Sequence, residues 1–165
     1  MKYRIEEKHC FKIIAKTQRF AKLENVDGRR DIPEFWTKCN EDGTVKYLEQ
    51  SCKKDGVLGG CIVGLCMEDS VKVKDFPYSV GAEYDGGEVP EGYTLYDMPA
   101  ARWAVFDSTG SMPDAIQKLW HKIFSEFFPS PDYKPAGNFD LEVYSDSYMD
   151  SDTYHSEIWI AVEEK

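Results

Sequence analysis

The most regular apolar pattern in the chain lies in its second half. Ile116, Leu119, Trp120, Ile123, Phe124 and Phe127 recur at intervals of three and four residues, which places them on one helical face. Before them, Ser111-Met112-Pro113-Asp114 combines a Ser cap, an acid three residues on and a proline in the first turn. After them, Pro129 and Pro131 end the helix. A weaker helical pattern starts with Asp31 as cap, Pro33 inside and Glu34 three residues after the cap. Ile32, Phe35, Trp36 and Cys39 share one side, Gly43 interrupts, and a further helical piece carries Val45, Leu48 and Cys52.

The remaining segments alternate or are β-branched, and Gly, Pro, Asp and Ser bound them. They predict strands near Tyr3–Thr17, Val57–Glu68, Phe76–Tyr84, Tyr93–Phe106, Phe139–Tyr144 and Glu157–Val162, the first and fourth long enough to bend or split. The order is strand, helix, strand, strand, and then the same again, with a connector at Asp85-Gly86-Gly87-Glu88-Val89-Pro90. The expectation is one α+β domain over residues 1–165, built from pseudo-repeats at about 1–86 and 90–165, with a mostly antiparallel sheet and two main helices.

Composition narrows the classes. With 165 residues, 42% hydrophobic and 30% charged, the chain is globular in character. Twenty basic residues against 30 acidic give a net charge of −10, and no basic run exceeds the pairs Arg29-Arg30 and Lys53-Lys54. Such a surface repels phosphate, so the reading is no nucleic-acid partner for this chain by itself. No apolar run reaches the ~18 residues of a membrane span, and Met1–Lys8 has no apolar signal segment. The expectation is a cytoplasmic protein with no membrane partner. The five cysteines have no C-x-x-C pair and read as free thiols, while His9, His121 and His155 are scattered, so neither a metal nor a cofactor is expected.

Candidate chemistry gathers in the last two strands. In Phe139-Asp140-Leu141-Glu142-Val143-Tyr144, Phe139, Leu141 and Val143 share one face, and Asp140, Glu142 and Tyr144 the other. In the last strand Ile158, Ile160 and Val162 oppose Glu157, Trp159 and Ala161. If the aliphatic faces meet the helices, Glu142, Tyr144 and Trp159 project together from the far side. An acid beside two aromatics suits an organic cation, the rings supplying apolar area and cation–π attraction. The same pattern also suits a solvated strand face with an edge tryptophan. Trp120, on the core stripe, reads as packing; Trp36 fits either role. Cys66 reads as a buried thiol, and the acidic run Ser145–Asp152 as a solvated hairpin loop.

Taken together, Asp31-Ile32-Pro33-Glu34-Phe35-Trp36, Tyr78-Ser79-Val80-Gly81-Ala82, Asp97–Phe106, Gly110-Ser111-Met112-Pro113, Phe128-Pro129-Ser130 and the last two strands resemble the effector-binding domain of AraC-type transcription regulators, the GyrI-like small-molecule-binding domain. The resemblance spans nearly the whole chain. No helix-turn-helix region accompanies it, so it is to the stand-alone members, and Ala161 stands where many members have proline.

The resemblance implies a duplicated fold with pseudo-twofold symmetry and an aromatic cleft around a central acid that takes small, drug-like, often cationic molecules. Residue by residue, it matches the acid to Glu142, the aromatic of the final strand to Trp159 and the first-helix aromatic to Trp36, with Tyr144 beside the acid. A carboxylate left without a partner in such a cleft is costly to ionise, so its pKa is expected to rise. The first function reading is multidrug binding for sensing or sequestration. The alternative is hydrolysis of strained, cyclopropane-type alkylating compounds, with Glu142 as the catalytic residue. The third is protein–protein inhibition of the gyrase-inhibitor kind, which leaves a protein partner open.

Overall fold

The two long strands expected at the start of each half both break in two. In the computed structural model, which describes residues 1–21, 31–67, 75–145 and 151–165, the first becomes β1 (Tyr3–Lys8) and β2 (Phe11–Ala21). The fourth becomes β5 (Thr94–Met98) and β6 (Ala101–Thr109). Between β2 and β5 come α1 (Ile32–Glu41), α2 (Thr44–Ser51), β3 (Ile62–Met67) and β4 (Asp75–Glu83). After β6 come α3 (Asp114–Lys122), β7 (Tyr133–Tyr144) and β8 (His155–Glu164). Residues 146–150 of the acidic run and the pair Arg29-Arg30 lie outside the described residues.

Among the described residues, the eight strands join one antiparallel sheet in the order β1-β6-β8-β7-β3-β4-β2-β5. The order is palindromic with respect to the two halves. β1 precedes β2 in sequence but pairs with β6, while β5 precedes β6 but pairs with β2. The fold is therefore α+β and duplicated, each half lending its first strand to the other.

This exchange forces the sheet to curl. Only His9 and Cys10 separate β1 from β2, and only Pro99 and Ala100 separate β5 from β6. Two extended residues span about 11 Å between the strand ends, whereas the joined strands would lie roughly 29 Å apart in a flat sheet of this order. Phe11 of β2 and Trp103 of β6 accordingly meet across the curl, ring centroids 6.5 Å apart. The concave face closes on its own core, with Phe11, Ile13, Val63, Leu65, Trp103 and Trp159 among its buried members. The helices pack on the convex face. α3 covers Ala104, Phe106, Ile158 and Ile160, and α1 and α2 cover Ile14, Tyr78, Val80 and Ala82. The central strands β3 and β7 lie between these two helix-covered cores.

The helix ends differ from expectation in detail. Asp31 is the N-cap of α1, but its side chain makes no capping hydrogen bond. α3 starts after Pro113, and Ser111 contributes its carbonyl to Ala115 N–H at 3.1 Å in place of a side-chain cap. The apolar stripe continues past α3 as a π-helical turn, Ile123–Phe127.

Candidate functional site

Alternation along a strand names two faces but not which one is inside, and here both faces of the sheet are covered. Register decides. Glu142 lies opposite Ile158, and Leu141 opposite Trp159. Glu142 and Tyr144 therefore share the convex, helix-covered face with Ile158, and Trp159 points to the concave core. The expectation that Glu142, Tyr144 and Trp159 project together is corrected. Trp159 is 3% exposed and packs on Trp103 at 6.1 Å between centroids, with its indole N–H donated to Glu157 at 2.7 Å. It does not line the cleft described next.

That cleft, of about 330 Å³, opens between α1 and α3 over β3, β4 and β7. Trp36, Tyr78, Trp120 and Tyr144 supply aromatic lining, Ile32, Met112 and Ile116 aliphatic lining, and Thr37, Asn40 and Gln117 polar lining. Glu142 is the one acid among the described lining residues, which include no Lys, Arg or His. The volume is at the lower end of small-molecule sites.

A hydrogen-bonded network centres on the acid. Tyr78 donates its hydroxyl to Glu142 Oε1 at 3.2 Å, and Trp120 donates its indole N–H to Oε2 at 3.2 Å. Trp36 donates its indole N–H to the Tyr78 hydroxyl at 2.9 Å, and its ring meets Tyr144 edge-on at 5.2 Å. Cys66 Sγ lies 4.0 Å from Oε1. The expected carboxylate without partners is thus corrected. Both oxygens accept from the protein, an arrangement that suits an anion, which can only accept. Burial, and then the Glu142 charge, push the Tyr78 and Tyr144 phenols well above the ordinary tyrosine value.

Gly64 makes this geometry accessible. It pairs with Glu142 across β3 and β7, and a Cβ there would lie 2.1 Å from the Tyr78 hydroxyl oxygen and 3.3 Å from Glu142 Oε1. Without a side chain at 64, the phenol of the neighbouring strand crosses over β3 to the acid. Sequence reasoning picked out Glu142, Tyr144 and Trp36, which the structure brings together, and missed Gly64, Tyr78 and the polar role of Trp120. For Trp120 a signal existed, since a buried indole N–H usually finds an acceptor.

Folding brings His155 Nε2 to 3.2 Å from Asp107, with Glu157 alongside. Arg4 reaches Asp107 at 3.4 Å and Glu157 at 3.0 Å, so a guanidinium already balances those carboxylates. Among the described residues, no helix is long and apolar enough to cross a membrane.

Several known structures share this architecture. SAV2435, solved with tetraphenylphosphonium bound, matches at a TM-score of 0.85 and 20% identity over 99% of this chain and 94% of that one. A second protein, from Staphylococcus aureus MU50, matches at 0.79 and 19% over 99% of both chains. An integron cassette protein from Vibrio cholerae matches at 0.69 and 21% over 98% of this chain and 95% of that one. These likenesses establish the fold. No curated protein matches in sequence. The family model for integron-associated effector-binding proteins matches residues 4–162, so the chain belongs to that family and has the GyrI-like fold its motifs implied.

Proposed function

We propose that the cleft between α1 and α3 binds a lipophilic organic cation, for sensing or sequestration. Glu142 serves as counter-charge, and Trp36, Trp120 and Tyr144 serve as apolar walls. The observation that carries this reading is a buried carboxylate, 9% exposed, in the lining of an aromatic cleft. Tyr78 belongs to the site by orienting the acid. The two pseudo-repeats act as one binding unit, because α1 comes from the first and α3 from the second. That SAV2435 was solved with tetraphenylphosphonium agrees with the reading. A hydrolytic role for the same acid gains no support from these likenesses.

The test is a tryptophan-fluorescence titration with tetraphenylphosphonium on wild type and Glu142→Gln, the ligand being recovered and weighed afterwards. The expected result is saturable binding, unchanged ligand, and affinity at least about tenfold weaker in the variant, or roughly 1.4 kcal/mol. Equal affinity in both proteins removes Glu142 from its role. No saturation in the wild type removes this cation as a ligand.

A further inference from the structure

Phe124 is unusual for a large apolar side chain in this protein, being 55% exposed. It belongs to the apolar stripe of Ile116, Leu119 and Trp120, yet Ile123 and Phe127 on either side of it are 0% and 5% exposed. The backbone explains part of this. After α3 the helix widens, and Phe128 N–H reaches the Ile123 carbonyl five residues back, at 3.1 Å. Such a turn changes how successive side chains meet the core and is frequent near functional sites.

What Phe124 touches gives the exposed ring a use. It stacks on the Trp120 indole with centroids 5.8 Å apart and an interplanar angle of 12°. Trp120 is 6% exposed, lines the cleft, and donates its N–H to Glu142. Phe124 is not among the lining residues. We infer that Phe124 is a positioning residue: it holds the Trp120 indole in the plane from which its N–H reaches Glu142 and its ring walls the cleft. Because more than half of Phe124 is in water, its removal deprives the fold of little buried area. A purely structural Phe would show the opposite balance, with stability lost and ligand affinity kept.

The affinity arm of the test rests on the cation-binding reading; a second arm is independent of it. In the ligand-free protein, the Trp120 indole N–H signal is followed by 1H–15N spectroscopy in wild type, Phe124→Ala and Phe124→Tyr. Phe124→Ala is expected to speed the exchange of that proton with solvent severalfold, as its hydrogen bond to Glu142 opens, and Phe124→Tyr to restore the wild-type rate. With tetraphenylphosphonium, Phe124→Ala is expected to raise Kd about fivefold, the size of one aromatic pair, while Tm falls by less than about 4 °C. In a Trp120→Phe background, which lacks the N–H, the same substitution is expected to change Kd less than about twofold. An unchanged indole N–H exchange rate in Phe124→Ala overturns the inference, as does an equal loss of affinity in both backgrounds. If the wild type does not bind the cation, the function reading fails and the indole N–H exchange rate alone decides the positioning role.

Discussion

Gly64 carries as much of the cleft as any side chain does. Its strand register puts it beside Glu142, and the missing Cβ is what admits the Tyr78 hydroxyl. The expectation for Gly64→Ala is a destabilisation of about 1–3 kcal/mol, the usual cost of overpacking a filled site. Loss of tetraphenylphosphonium binding should accompany it, because the phenol can no longer reach the acid. Urea denaturation and a fluorescence titration check the two parts, and a variant with wild-type midpoint and affinity contradicts the assignment. At this scale Glu142 and Tyr144 were legible, since an acid and an aromatic two apart on a strand must share a face. Gly64 and Tyr78 were not: their importance exists only across strands, and a glycine before a leucine and a cysteine has no local mark of it.

The strands show how local pattern and pairing divide the information. The breaks in the two long strands were legible from length, and the helical stripes from their spacing. The side that each strand face takes was not. β7 is buried by helices on one side and by the concave core on the other, so its alternation of Phe139, Leu141 and Val143 with Asp140, Glu142 and Tyr144 does not label inside and outside. A shift of one residue in the register against β8 would have brought Trp159 to the cleft. This assignment makes a contrast to measure by calorimetry. Trp159→Phe is expected to leave tetraphenylphosphonium affinity within about twofold, since its ring belongs to the other core. Trp36→Phe removes the donor to Tyr78 and part of a wall, and is expected to weaken binding about threefold or more, in line with one lost hydrogen bond. The reverse order of effects would mean that the cleft lies on the other face.

For the molecule as a whole, the curl of the sheet and the exchange of β1 and β5 put a helix from each half on either side of the central strands, and the cleft is the space between them. The same burial gives the protein an alkaline limit. Tyr78 and Tyr144 are held well above the ordinary tyrosine value by burial and by the Glu142 charge, whereas in the unfolded chain such phenols lose their protons near pH 10. Above that pH the unfolded state binds fewer protons than the native one, so stability falls as pH rises; below it these groups contribute no slope. The expected outcome is a urea midpoint that declines from about pH 10 upward and does so less steeply in Tyr78→Phe. An equal slope in both proteins would mean that other groups set the limit. The helices, the strands and the acid with its neighbouring aromatic follow from spacings of two to four residues, and the α+β duplication from the order of those elements along the chain. Long-range pairing is what makes Trp159 a core residue, brings Tyr78, Gly64 and Trp120 to Glu142, and leaves the acid hydrogen-bonded. Those outcomes depend on register between strands distant in sequence and on a sheet covered on both faces, where hydrophobicity no longer tells a strand which way to turn.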